Sequence, residues 1–271
     1  MDPIAKTAYY CCGVRMLDAH AQSPVCGDHY AELFMDAEAR EIFRRFEKFR
    51  GPNLANAARH RIIDDILRER LARHPDMHVL LLGAGFDTRA FRLAGGQWFE
   101  IDTPALIARK ESILPAHTAP NPLARIAMDF SSDRLEHKLA ALAAPAAPAV
   151  VVMEGVSMYL SPDQLRDTLN LLRRLFPGHT LVCDLMTDAF AQRFGRGLRR
   201  RIRELGGNFA PLLDDPASFV AAAHYREAAR HSIAGRAVAH GSLPLPLWLF
   251  NSLLKSLRDG YQLHVFEANS I

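Results

Sequence analysis

Short apolar runs alternate with helical segments through the middle of the chain, and one further run lies near residue 265. Continuous apolar runs of this length are typical of strands buried on both faces of a parallel sheet. Their alternation with helical stretches predicts a doubly wound α/β sheet, in which ligands bind beyond the carboxyl ends of the strands. The predicted strands are 78–82, 97–101, 123–128, 149–153, 180–183 and 261–266.

Helical patterns occupy the chain on either side of these runs. Residues 30–50 have a helical spacing of apolar positions that Gly51 and Pro52 are predicted to end, and a second amphipathic helix is predicted over 53–74. Residues 185–245 lose the alternation and predict a mostly helical insertion. We therefore predict a single domain over 1–271. Its parts are an N-terminal helical cap, a cofactor-binding core, a helical lid with the substrate region, and a final strand, at 1–75, 76–184, 185–258 and 259–271.

The composition is that of a globular protein with a sizeable core, because 49% of the 271 residues are hydrophobic and 23% are charged. The net charge of +3 is too weak to indicate a nucleic-acid partner. The 4 cysteines match no metal-ligand or disulfide spacing, so no metal is expected. The first residues do not resemble a secretory signal, and no apolar segment reaches the roughly 20 residues that span a bilayer. We expect a soluble, cytoplasmic protein without membrane contact.

Acidic residues follow four of the first five predicted strands, and the remaining strand runs into Gly83-Ala84-Gly85. A glycine turn before a helix lets a cofactor approach the backbone closely. A dinucleotide fingerprint would place Gly or Ala where this chain has Thr88, which weakens a pyrophosphate-binding interpretation. Because the carboxyl ends of parallel strands meet at one edge of a sheet, a ligand is expected beside these acids. The acids are Asp102, Asp129, Glu154 and Asp184.

Each acid also has a structural interpretation. Asp102 stands where a carboxylate accepts hydrogen bonds from ribose hydroxyls, and the lesser alternative is that it caps a helix before Pro104. Asp129 precedes two serines and suits a turn of its own. Glu154 closes an apolar run in the middle of the predicted sheet, where burial without a partner is expensive.

Three longer motifs extend these features: GAGFDTRAFRL at 83–93, FEIDTP at 99–104 with Lys110, and EGVSMYL at 154–160. With KTA at 6–8, DHYAELF at 28–34 and RHRIID at 59–64, they resemble the leucine carboxyl methyltransferase family over about residues 1–185. That family uses S-adenosylmethionine and includes enzymes that methylate protein phosphatases as well as bacterial O-methyltransferases of polyketide pathways. The resemblance implies a class I methyltransferase fold, a Rossmann-like, mostly parallel seven-stranded sheet.

The resemblance also assigns residues to the methionine end of S-adenosylmethionine. Lys6 and Arg59 would hold its carboxylate, and arginine offers a planar fork to such a group. Gly83 and Gly85 would line the methionine portion, and Glu154 would accept from its ammonium group.

At the nucleoside end, the resemblance implies that Asp102 binds the ribose and that Asp129 and Phe130 hold the adenine. A third glycine is dispensable in this case, because there is no pyrophosphate to bind. The sequence therefore predicts an S-adenosylmethionine-dependent O-methyltransferase of secondary metabolism that acts on a natural-product or metabolite acceptor, with a carboxylate favoured by the resemblance.

A carboxylate acceptor is already ionised at neutral pH and needs no general base, whereas a phenol, with a pKa of about 10, needs one. The candidate bases are Tyr159, His224, Tyr225 and His231, each of which also suits a structural role. No residue in the sequence identifies the acceptor, which is expected to be a small molecule, alone or tethered to a carrier protein. A protein phosphatase tail is a further acceptor by kinship alone.

Two other functions remain open on the sequence: a nicotinamide-dependent oxidoreductase with the same fold, and a binding module that holds a cofactor without catalysis. Six arginines between residues 193 and 203 raise a separate question. Such a run is typical of a solvated helix face, while the alternative is a lid that attracts an anionic acceptor or the acidic surface of a carrier protein.

Overall fold

The computed structural model describes residues 3–128, 135–142, 148–243, 250 and 254–269, with side chains from residue 6 onward. The described strands form one seven-stranded sheet. They are β1 (His78–Leu82), β2 (Gln97–Asp102), β3 (Leu123–Ala127), β4 (Ala149–Met153), β5 (Thr180–Met186), β6 (Tyr225–Ser232) and β7 (Tyr261–Ala268). Their order is β3-β2-β1-β4-β5-β7-β6. The first five are mutually parallel, and β7 lies antiparallel between β5 and β6. The prediction of a mostly parallel, doubly wound sheet is confirmed.

All six apolar runs form strands, but the seventh strand, β6, falls where a helical insertion was predicted, so that part of the prediction was wrong. The segment YREAARHS carries a buried Tyr225 followed by residues that alternate between exposed and half-buried. Among the described strands it pairs only with β7, and it lies at the edge of the sheet. An edge strand needs no continuous apolar run, because one side of it faces solvent.

Three helices precede the sheet: α1 (Pro3–Ala19), α2 (Ala37–Arg44) and α3 (Arg50–Arg73). The single helix predicted over 30–50 is instead a 3₁₀ turn at His29–Phe34 followed by α2, whose N-cap Asp36 accepts from the Ala39 amide at 2.9 Å. Gly51 and Pro52, predicted to end a helix, lie in the first turn of α3. Proline is tolerated there, because the amide that it lacks would have no partner within the helix.

The other described helices alternate with the strands or follow β5. One of them begins at Pro162, and Ser161 and Gln164 form a capping box at its start. No described helix has the length and apolar character needed to cross a membrane. These helices are α4 (Arg89–Arg92), α5 (Pro104–Ile113), α6 (Leu135–Ala140), α7 (Pro162–Leu175), α8 (Asp188–Phe194), α9 (Arg196–Glu204), α10 (Pro216–Ala222), α11 (Ile233–Ala239) and α12 (Lys255–Asp259).

Hydrophobic cores lie on both faces of the sheet. Val79 and Leu81 of β1 belong to the core that includes α1 and α3. Leu80 and Leu82 belong to the opposite core, with Leu169 of α7. Alternate residues of a strand point to opposite faces, so a strand covered on both sides must be apolar throughout. This double burial is why the central strands were evident from sequence.

Candidate functional site

The glycine turn after β1 is hydrogen-bonded to the end of β2. Gly83 and Gly85 adopt left-handed conformations, with φ of 67° and 50°. A Cβ atom at residue 83 would lie 2.5 Å from a methyl carbon of Val156, so no larger residue fits there. The amide of Gly85 donates to Asp102 Oδ2 at 2.7 Å. The turn therefore presents bare backbone beside an acidic side chain.

Asp102 ends β2 and is buried. The N-cap position of α5 is Thr103, whose side chain makes no capping bond, so the interpretation of Asp102 as the N-cap was wrong. Its Oδ1 atom accepts from the Thr103 amide at 2.6 Å. Burial raises the pKa of Asp102, against the opposing effect of the amides of Gly85 and Thr103. Each carboxylate oxygen has a second lone pair and can accept another hydrogen bond.

Glu154 follows β4 and lies against two arginines and a histidine. Its Oε1 atom accepts from Arg59 Nε at 3.1 Å, and its Oε2 atom lies 2.8 Å from Arg89 Nη1 and 3.2 Å from His60 Nδ1. Burial acts to raise the pKa of Glu154, but Arg89, His60 and Arg59 lower it well below its usual value. The costly burial expected from the sequence is thus offset by ion pairs.

Arg59 joins Glu154 to a second buried acid, Asp184 of β5. Arg59 Nη1 donates to Asp184 Oδ2 at 3.1 Å and to the Tyr261 hydroxyl at 2.6 Å. Burial acts to lower the pKa of Arg59, while Tyr261, Asp184 and Glu154 raise it well above its usual value. The sequence marked Asp184 only as an acid after a strand, and nothing marked Tyr261. We call Arg59, His60, Arg89, Glu154 and Asp184 the buried ion cluster.

His60, Asp87 and Glu154 bring potential metal-ligand atoms within 4.8 Å of one another. The guanidinium of Arg89 already lies among them, because it pairs with both carboxylates and lies 2.7 Å from His60 Nδ1. The arginine supplies the positive charge that a metal ion would bring. This arrangement is an ion-pair network within the fold.

A cavity of about 290 Å³ adjoins the ion cluster. Its walls come from α1, α3, α8, α9 and α11, and Arg59, Gly155 and Tyr261 lie among its lining residues. Most of the lining is apolar, for example Phe190, Leu198 and Ile202. No histidine or carboxylate is found among the described lining residues.

Two of the polar residues that line the cavity are Tyr10 and Asn56. The Tyr10 hydroxyl and Asn56 Oδ1 are buried and have no hydrogen-bond partner in the described structure. The other end of the Asn56 amide contacts Cys11 Sγ at 3.1 Å. Buried polar atoms without partners are uncommon in proteins, and these two could form hydrogen bonds with a polar group in the cavity.

Of the four candidate bases, Tyr159 alone lines the cavity. Burial raises the pKa of Tyr159, so its phenol stays protonated at neutral pH and can donate but not accept a proton. His224 is exposed in the turn before β6, and Tyr225 packs in the opposite core, where its hydroxyl donates to the Leu169 carbonyl at 3.1 Å. His231, on β6, is not among the lining residues.

Lys6 lies half-buried near the start of α1. Its neighbour Thr7 lines the cavity, and Ala8 lies 3.5 Å from the position of a Cβ atom at Gly85, so this turn of α1 approaches the glycine turn. The fold thus brings Arg59, Gly83, Gly85, Asp102 and Glu154 to one edge of the sheet, and the turn of α1 that follows Lys6 lies beside the glycine turn. Asp129 and Phe130 lie outside the described residues.

Solved structures share this architecture. A protein from Thermobifida fusca YX, provisionally named a methyltransferase, matches with a TM-score of 0.60 and 15% identity over 88% of this chain and 94% of its own. A DUF574 family protein from Streptomyces avermitilis matches with a TM-score of 0.59 and 10% identity over 95% and 96%. The fold is that of the class I methyltransferases.

Sequence comparison identifies the family. The leucine carboxyl methyltransferase profile matches residues 8–173. A Streptomyces coelicolor relative, provisionally named an S-adenosyl-L-methionine-dependent methyltransferase, is 32% identical over 194 residues, or 68% of this chain and 66% of the relative. A relative from Frankia alni with the same provisional name is 30% identical over 200 residues, or 67% and 68%. The chain belongs to the leucine carboxyl methyltransferase family, as its motifs predicted. It spans 49% of a third such relative, from Parafrankia.

Proposed function

We propose that the protein transfers the methyl group of S-adenosylmethionine to a carboxylate oxygen of a small, largely apolar acceptor bound in the cavity. One observation carries the choice of acceptor: the cavity is apolar, lacks a histidine or carboxylate among its described lining residues, and ends at Arg59. Membership of the family supports the choice of cofactor.

The residues at the edge of the sheet fit the nucleoside and methionine parts of S-adenosylmethionine. Asp102, oriented by Gly85 and Thr103, keeps lone pairs for the two ribose hydroxyls. Asp129 and Phe130 are assigned to the adenine by the resemblance. The left-handed backbone of the glycine turn would allow close approach by the atoms between ribose and methionine.

At the methionine end, Arg59 and Lys6 would hold the carboxylate, and Glu154 would accept from the ammonium group. Arg59 Nε and Nη1 are engaged by the ion cluster, whereas Nη2 has no hydrogen-bond partner in the described structure. A zwitterionic amino acid suits this site, where an ionised carboxylate lies beside a guanidinium.

A dinucleotide fits the glycine turn less well. Thr88 stands at the third glycine position of the dinucleotide motif, and its hydroxyl donates to the buried Asp28 at 2.7 Å. Its side chain is therefore part of the fold at the point where a pyrophosphate-binding turn requires close backbone approach.

Bound S-adenosylmethionine supplies an electrophilic methyl group on a positively charged sulfur. A carboxylate acceptor would take this methyl group without losing a proton, so the residues that line the cavity would not need to supply a base. Burial raises the pKa of the lining tyrosines Tyr10, Tyr159 and Tyr261, so none serves as a base near neutral pH. The protein therefore acts by alignment and by excluding water.

The cavity size fits a compact ligand, because small-molecule sites occupy about 300–1,000 Å³. The lining suits a hydrocarbon body, with Tyr10 and Asn56 available to an additional hydroxyl or carbonyl group. On α9, Leu198 and Ile202 line the cavity while Arg196 and Arg200 face solvent. Exposed positive charge at this side would attract an acidic ligand, whether free or tethered to a carrier protein.

The test has two parts. Calorimetric titration with S-adenosylhomocysteine measures cofactor binding. Mass spectrometry then identifies the methylated products formed when the protein is incubated with S-adenosylmethionine and a panel of apolar carboxylic acids and matched phenols. We expect saturable binding by the wild type and by His224→Ala, and strongly weakened binding by Asp102→Ala and Arg59→Ala. We expect methyl esters and no aryl ethers. Ether products would overturn the choice of acceptor, and a lack of binding by the wild type would overturn the methyltransferase proposal.

A further inference from the structure

Three separate elements meet behind the guanidinium of Arg59. Asp184 comes from β5, Tyr261 from the start of β7, and Gly155 from the loop after β4. The Tyr261 hydroxyl accepts from Arg59 Nη1 and donates to Asp184 Oδ2, both at 2.6 Å. The Gly155 amide donates to Asp184 Oδ1 at 2.6 Å. One carboxylate therefore ties the arginine, the tyrosine and the loop together.

Asp184 is fully buried, so its charge has no solvent to stabilise it and depends on these partners. Its two oxygens accept from different partners: Oδ2 accepts from Arg59 and Tyr261, and Oδ1 accepts from the Gly155 amide in the loop after β4. Each partner comes from a different part of the chain, so the geometry at Arg59 follows from the packing of the sheet.

The guanidinium is planar, so fixing two of its nitrogens fixes the third. Glu154 holds Nε, and Asp184 with Tyr261 holds Nη1. The remaining nitrogen, Nη2, lies 3.1 Å from the position that a Cβ atom would take at Gly155, whose φ is 69°. The absence of a side chain at residue 155 lets the guanidinium lie against the backbone and leaves Nη2 at the cavity end.

We propose that Asp184 and Tyr261 are positioning residues that direct Arg59 Nη2 toward the carboxylate of the cofactor's methionine end. This inference rests on the proposed function and adds two residues that do not touch the cofactor. The tyrosine hydroxyl bridges acid and arginine, so its loss loosens the arginine while keeping the ring in place.

The decisive experiment compares two ligands that differ in the group that Arg59 binds. S-adenosylhomocysteine carries the amino acid carboxylate, and 5′-methylthioadenosine has the same nucleoside and a thioether without it. Calorimetry on the full chain is expected to give about a tenfold loss of affinity for S-adenosylhomocysteine in Tyr261→Phe, with unchanged affinity for 5′-methylthioadenosine. Asp184→Asn is expected to behave in the same way with a larger loss. Tyr225→Phe, a buried tyrosine in the opposite core, is the matched control and should leave both affinities unchanged.

Action through Arg59 has a second signature. In an Arg59→Gln background, Tyr261→Phe should cause no further loss, because the group that it positions is gone. Equal losses for both ligands, or additive losses in the double variant, would overturn the inference and leave the proposed function intact. Failure of the wild type to bind S-adenosylhomocysteine would overturn both. If Asp184→Asn does not fold, Tyr261→Phe carries the test alone.

Discussion

The buried ion cluster and the apolar cavity share Arg59 and differ in how their polar groups are satisfied. In the cluster, Glu154 and Asp184 each have several partners from different elements. In the cavity, the Tyr10 hydroxyl and Asn56 Oδ1 have none in the described structure. A fully bonded cluster admits one arrangement, whereas an apolar wall accepts ligands of several shapes. The difference fits the proposed function, in which the cluster serves the cofactor and the cavity serves the acceptor.

Replacing Glu154 by glutamine tests the cluster most severely. Two arginines would lose a buried charged partner, and breaking such pairs costs about 3–5 kcal/mol. We expect the free energy of unfolding, measured with urea, to fall by that amount. Glu204→Gln is the control, because it removes an exposed ion pair with Arg201 and should cost under about 1 kcal/mol. Comparable effects of the two changes would contradict the assignment of a structural role to the cluster.

Acid should separate cofactor binding from folding. The folded pKa of Glu154 is depressed by Arg89, His60 and Arg59 despite burial, so its contribution to stability is complete above an unfolded pKa of about 4.3 and is lost as the pH falls further. Burial raises the folded pKa of Asp102, so this carboxylate takes up its proton at a higher pH than in the unfolded chain. Affinity for S-adenosylhomocysteine should therefore decline on acidification before unfolding begins.

Calorimetry and circular dichroism over the same pH series check that order. Coincident loss of affinity and of ellipticity would show that unfolding, not protonation of Asp102, limits binding. An Asp102→Asn variant should bind more weakly at neutral pH and lose the acid-dependent decline that precedes unfolding.

The cavity wall should tolerate change that the cluster does not. Leu198→Ala on α9 enlarges the apolar wall, so acceptors longer by a few methylene groups should show a lower KM, while affinity for S-adenosylhomocysteine stays the same. Steady-state kinetics with an acid series of increasing length gives the measurement. An equal loss of affinity for the cofactor would mean that the cavity and the cofactor site are not separable in this way.

Tyr10→Phe is expected to have the smallest effect on the free protein. It removes a buried hydroxyl that has no partner in the described structure, so the melting temperature should stay the same or rise slightly. If an acceptor uses this hydroxyl, KM should rise for that acceptor alone. A clear fall in melting temperature would indicate a partner for the hydroxyl in the free protein.

Much of the cofactor edge could be predicted, because its signals are local. Strand β4 is buried and apolar along its whole length, so Glu154 stands out as the first polar residue after it. Asp102 is the last residue of β2, where it follows the buried Ile101 and precedes a helix that starts at Pro104. Gly83 and Gly85 need left-handed backbone, which also leaves a mark in the sequence.

The partners of those residues could not be predicted, because they depend on pairing between distant segments. Tyr261 reaches Asp184 only because β7 inserts antiparallel between β5 and β6, and the missed strand β6 gave no apolar signal for this arrangement. The prediction that Gly51 and Pro52 end a helix was wrong, because the same two residues also suit the first turn of a helix. Whether they end or begin a helix depends on how α3 packs.

The antiparallel insertion of β7 also has a kinetic consequence. The hydrogen bond between Arg59 and Tyr261 joins residues separated by 202 positions, so a long loop must close before it forms. Until β7 joins the sheet, Arg59 lacks the hydroxyl that bridges it to Asp184. The arginine should thus reach its final orientation late in folding, and cofactor affinity would report the docking of the last described strand.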